Sequence, residues 1–95
     1  MRMKNPSHPG SLVKDSIDFL GFSVAEAAKG LGITRQQLYR IIRGESGISP
    51  DVALRLEQAI GSTADHWLRM QASYDLAQAR LKAPVIKKLE PKQAA

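Results

Sequence analysis

The sequence predicts an all-α fold of five helices, and three observations carry the prediction. Hydroxyl residues that suit helix N-caps recur ahead of apolar runs at Ser23, Thr34, Ser49 and the pair Ser62-Thr63. Gly21, Gly32, Gly44 and Gly61 close the runs between them. No segment alternates with the period of two that a strand needs, apart from a weak stretch at Pro84 to Leu89.

Residues 1–8 read as a polar arm without periodicity, and Pro9-Gly10-Ser11 precede the first helix. That helix runs from Leu12 to Leu20, with Leu12, Val13, Ile17 and Leu20 as its apolar residues. Ser23 with Glu26 forms a capping box, so the second helix starts at Val24 and buries Val24, Ala27, Ala28 and Leu31 before Gly32 stops it. Ile33 turns inward, and Thr34 with Gln37 makes a second box. The third helix then spans about Arg35 to Arg43 and ends at Gly44. Leu38, Ile41 and Ile42 face the core, leaving Arg35, Gln36, Tyr39, Arg40 and Arg43 outside.

Ser49-Pro50-Asp51 opens the fourth helix with an N-cap, a first-position proline and a first-turn acid. It continues through Val52, Leu54, Leu56, Ala59 and Ile60. The fifth begins near Ser62 or Thr63, with Asp65 placed to complete a box with Ser62, and extends to about Lys82. It carries two apolar rows: Trp67, Met70, Tyr74, Ala77 and Leu81, and beside them Leu68, Ala72, Leu76 and Ala79. The first row is the expected dimer or partner interface. Around Trp67 and Leu68 it reads equally as cover for the chain's own core; from Tyr74 onward the other helices are too short to shield it. Residues 9–82 thus form one helix-turn-helix and dimerisation domain, and residues 83–95 a basic, flexible tail whose two prolines and lysines disfavour independent folding.

Ninety-five residues suffice for one small domain. The net charge of +5 and a pI near 9.9 favour a polyanionic partner. Met1 to Lys4, Lys82 to Lys92 and the third helix are basic, whereas Asp15 and Asp18 share the first helix. There is no cysteine, so neither a disulfide framework nor a zinc–thiolate site is expected, and no cofactor or metal is implied. Apolar runs are only a few residues long, and a cytoplasmic location is expected.

Two short helices around a glycine turn are what a chain needs to place one of them in a major groove of DNA. Arginine can pair with guanine O6 and N7, and glutamine with adenine N6 and N7. Arg35 and Gln36 lie in the first turn, and Arg40 follows about one turn on. Gln37 is ranked below them because its box competes for it. Thr34, at a helix start with free N–H groups, suits a phosphate oxygen. Ser46 and Gly47 offer backbone to another. Tyr39 has two readings, stacking on a sugar or packing on a neighbouring helix. Three arginines alone describe a solvated face. Joined to the glycine turn, the two boxes and the absence of acid between Glu26 and Glu45, they describe a DNA-reading one. A homodimer would double it and read a palindrome with half-sites about 34 Å apart.

Catalysis is not expected. His8 and His66 are far apart in sequence, on an arm and at a helix start. No serine stands in a G-x-S-x-G elbow, and Gly30-Leu31-Gly32 belongs to a helix end.

His8-Pro9-Gly10, the helix pair, GISPDVALRLEQAIG at Gly47 to Gly61 and ADHWLRMQASYDLAQAR at Ala64 to Arg80 together resemble the HigA-type antitoxins. These are also known as virulence-associated protein I homologues, within the phage-repressor-like (XRE) helix-turn-helix family. The resemblance covers about residues 8–81. It implies a lambda-repressor-like domain and an antitoxin that represses its own operon as a homodimer on a palindromic operator, neutralising a RelE-like mRNA-cleaving toxin. By position it assigns DNA contact to Ser23, Thr34, Arg35, Gln36, Tyr39 and Arg40, with phosphate contacts from Arg43 to Gly47. Val24 departs from the pattern, since many phage-type repressors have a phosphate-binding glutamine there. The tail lies beyond the resemblance, and Val85, Ile86 and Leu89 form a candidate toxin contact. A repressor without a toxin is the alternative reading, followed by an adaptor that has lost DNA binding.

Overall fold

A computed structural model of the chain describes residues 6–92. The basic residues Met1 to Lys4, and residues 93–95 of the tail, lie outside the described residues. Five helices follow in order: α1 (Pro9–Leu20), α2 (Val24–Leu31), α3 (Arg35–Ile42), α4 (Pro50–Ala59) and α5 (Ala64–Arg80). No strand occurs among the described residues, and Pro84 to Leu89 is neither helix nor strand.

Each helix start has a side-chain cap. Ser23 and Glu26 form the full reciprocal box, with Ser23 N donating to Glu26 Oε1 at 2.8 Å and Glu26 N to Ser23 Oγ at 3.1 Å. Three boundaries and one capping box differ from the sequence reading. α1 starts at Pro9 rather than Leu12, because His8 is its N-cap and Nδ1 accepts from Gly10 N at 2.9 Å. His8 therefore belongs to the domain and not to the arm. Thr34 accepts from Gln37 N at 3.0 Å, but the reciprocal half of that box is not made. At α5 the cap is Thr63, accepting from His66 N at 3.0 Å, because Ser62 is held at φ 62° in the α4–α5 corner; the Ser62–Asp65 box does not form. α5 ends at Arg80, short of Lys82.

The core draws on every helix: Val13 and Ile17 from α1, Ala28 and Leu31 from α2, Leu38 and Ile41 from α3, Val52, Ala53 and Leu56 from α4, and Trp67 from α5, with Ile48 from the α3–α4 loop. Burying such a leucine or isoleucine contributes about 1.5–3 kcal/mol. Of the apolar residues named on these helices, Leu12, Leu20 and Leu54 are exposed. Trp67 corrects a larger expectation. It is 2% exposed within its own chain and donates from Nε1 to Gly61 O at 3.0 Å, so it is a core anchor and not a partner contact.

Two contacts place α3. Gly10 passes so close to the end of α3 that an added Cβ would collide with the Ile41 carbonyl oxygen and lie 2.8 Å from its carbon. Arg55 of α4 donates from Nη1 to Leu31 O at 2.9 Å and Gly32 O at 3.2 Å, while Asp51 Oδ2 holds its Nε at 2.9 Å. A cation thereby satisfies the last carbonyls of α2, where the helix dipole favours it.

The α1–α3 approach makes Gly10→Ala costly, by about 1–3 kcal/mol for overpacking. Gly30, inside α2 with nothing within 4 Å of an added Cβ, behaves oppositely. Gly30→Ala is expected to stabilise by about 0.5–1 kcal/mol through helix propensity. Urea unfolding of the two variants checks the pair; a Gly10→Ala protein as stable as the parent would refute the close approach.

Candidate nucleic-acid interface

The turn between α2 and α3 is Gly32-Ile33-Thr34. Gly32 adopts φ 74°, ψ 28°, which an L side chain seldom tolerates, and Ile33 N returns to Ala28 O at 3.1 Å. That ending redirects the chain so that α3 buries Leu38 and Ile41, each 1% exposed. Arg35, Gln36, Gln37, Tyr39 and Arg40 all emerge on the exposed side. None of the three ion pairs among the described residues uses Arg35 or Arg40. Gln37, expected to be occupied in a box, is available beside them.

Tyr39 is 39% exposed, and the Arg43 guanidinium lies 5.6 Å from its ring centroid. Arg43 also pairs with Glu45, Nε to Oε2 at 3.2 Å, with both side chains about half exposed. Exposed pairs of this kind are worth about 0–1 kcal/mol, so a phosphate can displace the carboxylate. Past Arg43 the chain folds back on α3: Gly44 N donates to Ile41 O at 3.1 Å, and Glu45 N and Ser46 N donate to Arg40 O at 2.9 and 3.2 Å. The Ser46 backbone amide is therefore spent. The loop's other donors are the Gly47 N–H and the Ser46 hydroxyl, which is held only by a long 3.5 Å bond to Gly47 O.

Ser23 is less favourable than expected. Its hydroxyl accepts from Glu26 N, and the Glu26 carboxylate stands against its backbone. Hydrogen bonds from the Ser23 backbone, then its side chain, hold the Glu26 carboxyl below the usual range. A phosphate arriving there meets a like charge.

A buried polar cluster supports the loop, and the sequence reading did not single it out. Gln71 of α5 is 7% exposed; its Oε1 accepts from Ile48 N at 2.9 Å and its Nε2 donates to Asp75 Oδ1 at 2.9 Å. The His8 ring packs edge-on against Tyr74, centroids 4.8 Å apart. Because His8 Nδ1 accepts from Gly10 N, the neutral ring carries its proton on Nε2. The 3.3 Å approach of that atom to Gln71 Nε2 then brings two N–H groups together, a packing contact and not a hydrogen bond. Gln71 lies four residues beyond Trp67, on the face of α5 that turns inward; that spacing was the available signal.

A family model described as helix-turn-helix matches residues 20–67. The chain belongs to the XRE-type helix-turn-helix family. It is 50% identical over 78 residues to virulence-associated protein A' of Dichelobacter nodosus, covering 81% of this chain and 68% of that protein. Among solved structures it matches an addiction module antidote protein of a HigA family from Coxiella burnetii, with a TM-score of 0.79 and 35% identity over 83% of this chain and 87% of the other. It also matches the Pseudomonas aeruginosa antitoxin HigA with the higBA promoter, with a TM-score of 0.77 and 32% identity over 82% and 86%. The five-helix fold and the antitoxin resemblance read from the sequence both stand, and the chain is an antitoxin-like, DNA-binding helix-turn-helix regulator.

Within this helix-turn-helix frame, α5 divides in two. Met70 packs on the core, and Tyr74 is half-buried against His8 of the same chain. Further along, Ala77 is half-buried, Leu76 is 50% exposed and Leu81 71% exposed. The unshielded apolar surface is this outer end. No helix among the described residues is long and apolar enough to cross a membrane.

His8 gives the domain a pH dependence. Burial holds its pKa below 6.5, outweighing the opposing pull of Asp75, so the folded chain favours the neutral ring. Stability is complete above the unfolded value near 6.5 and falls as pH drops below it, because the unfolded chain takes up the proton more readily. Protonation also removes the Nδ1 acceptor from Gly10. Thermal midpoints between pH 8 and pH 5 should fall less steeply in His8→Asn, which keeps a capping side chain, than in the parent; parallel curves would exclude His8 as the cause.

Proposed function

We propose that this chain is the antitoxin of a type II toxin–antitoxin module: a cytoplasmic homodimer that represses its own operon and neutralises a RelE-like mRNA-cleaving toxin. The observation that carries the DNA half is the outward face of α3, acid-free and anchored from below by Leu38 and Ile41. Arg35, Gln36 and Arg40 read base edges from it, with Tyr39 at its edge. Thr34, Gln37, Arg43, the Ser46 hydroxyl and the Gly47 N–H meet phosphates, and Ser23 contributes least because of Glu26. Likeness to HigA-family antitoxins supports the module, and the Pseudomonas aeruginosa protein with the higBA promoter supports operator binding.

Dimerisation through Ala77, Leu81 and the adjoining Leu76 covers the apolar end of α5 and presents two α3 helices to successive major grooves. The tail, with Val85, Ile86 and Leu89 each at least 80% exposed, supplies apolar side chains to the toxin.

Arg40→Ala should lose about 1–3 kcal/mol of discrimination at one base pair, whereas Arg43→Ala should weaken all duplexes alike and lower the salt dependence. Titration of operator and mixed-sequence duplexes at several salt concentrations separates the two; an equal loss from Arg40→Ala on both would refute base reading.

For the partners, Leu81→Asp should give a folded monomer by sedimentation. A tagged chain expressed with the frame beside its gene should retain a RelE-like protein through gel filtration. A Leu81→Asp dimer, or recovery of the chain alone from cells holding the soluble frame product, would refute the respective assignment.

A further inference from the structure

We propose that Gln71 is a positioning residue for DNA binding, setting the phosphate-facing loop from the interface helix α5. The inference rests on the loop contacting DNA as proposed above. A buried amide is costly unless its polar atoms are matched, and Gln71 is buried to 7% exposure in a helix whose neighbouring inward residue is Trp67. Its carbonyl takes the Ile48 N–H across twenty-three positions of sequence. Gly47 lies directly over the same amide, where an added Cβ would meet Gln71 Cδ and Nε2 at 3.3 Å.

The loop therefore has two anchors. On one side Gly44, Glu45 and Ser46 donate back to the last carbonyls of α3. On the other, Ile48 donates to Gln71. Gly47 lies between them, and its N–H has no partner among the described residues. Remove the Gln71 carbonyl and Ile48 N–H loses its acceptor, Gly47 loses its floor, and the donor to phosphate loses its fixed position. The other end of the amide is held by Asp75, next to Tyr74 and two residues before Ala77 on the half of α5 that faces a partner. One side chain thus joins the DNA-facing loop to the helix that carries the interface.

The test uses the full chain, a mixed-sequence duplex, and a duplex enriched from a randomised pool by the parent protein. Gln71→Met keeps the bulk and removes the acceptor. The expected result is a folded protein in which the Ile48 amide exchanges faster. Affinity for both duplexes should fall about tenfold, the loss of one charge-assisted hydrogen bond, with their ratio unchanged. Gln71→Glu combined with Asp75→Asn exchanges donor and acceptor between the two positions while restoring an acceptor for Ile48. It should recover slow exchange and parental affinity, whereas Gln71→Glu alone sets two carboxylates together and should not. This second comparison decides the matter if Gln71→Met fails to fold. Faster exchange with unchanged affinity, loss on the enriched duplex alone, or a folded double variant that still binds weakly would each overturn the proposal. A parent protein that binds neither duplex would instead overturn the DNA reading beneath it.

Discussion

An eight-residue helix does not persist alone in water, and α3 is such a helix. The constraint on this molecule is that α3 must be held entirely from its inner face and its two ends. Leu38 and Ile41 do the first, Thr34 caps the start, and the Gly44 to Ser46 fold-back satisfies the finish. Gly10 lets α1 come close enough to brace the Ile41 end, and Arg55 ties the preceding turn to α4. These supports approach from behind or from the ends, which leaves the outer face open.

Charge follows the same division. The acids that flank α3 in sequence are both engaged, Glu26 bonded into the α2 cap and Glu45 beside Arg43. The centre of the face holds arginine and amide groups with no opposing charge on the same helix. Positive charge on α3 is therefore uncompensated at Arg35 and Arg40 and partly compensated at Arg43, beside Glu45. Glu26 is tolerated because its carboxylate pays in helix capping; Glu45, half-exposed, yields easily to a stronger anion.

Much of this was legible from residue order, because caps, glycine stops and helical periodicity are local and act within a few residues. Ser23-Glu26, Ser49-Pro50 and Gly32 placed their helix ends, and Leu38 and Ile41 were assigned inward. The misreadings arose where the tertiary setting, or a contact that no repeating pattern marks, decides. His8 caps α1 through Gly10 N, and its ring is held in the domain by Tyr74, far along the chain. Thr63 displaces Ser62 as cap because the α4–α5 corner forces Ser62 to positive φ. Trp67 reads from sequence equally as interface and as core, and the corner that folds over its indole makes it core. Gln71, Arg55 and Gly10 act on partners more than twenty residues away, a separation that carries no signal in spacing or composition.

The open outer face of α3 has an evolutionary consequence. Arg35, Gln36 and Arg40 brace nothing inside the domain, so exchanging them leaves caps, core and turn intact. On the base-reading role proposed for them, paralogues can drift to new operator sequences by a few codon changes at these positions without first acquiring compensating stability. Two such regulators in one genome could thereby become insulated from each other while sharing the same scaffold.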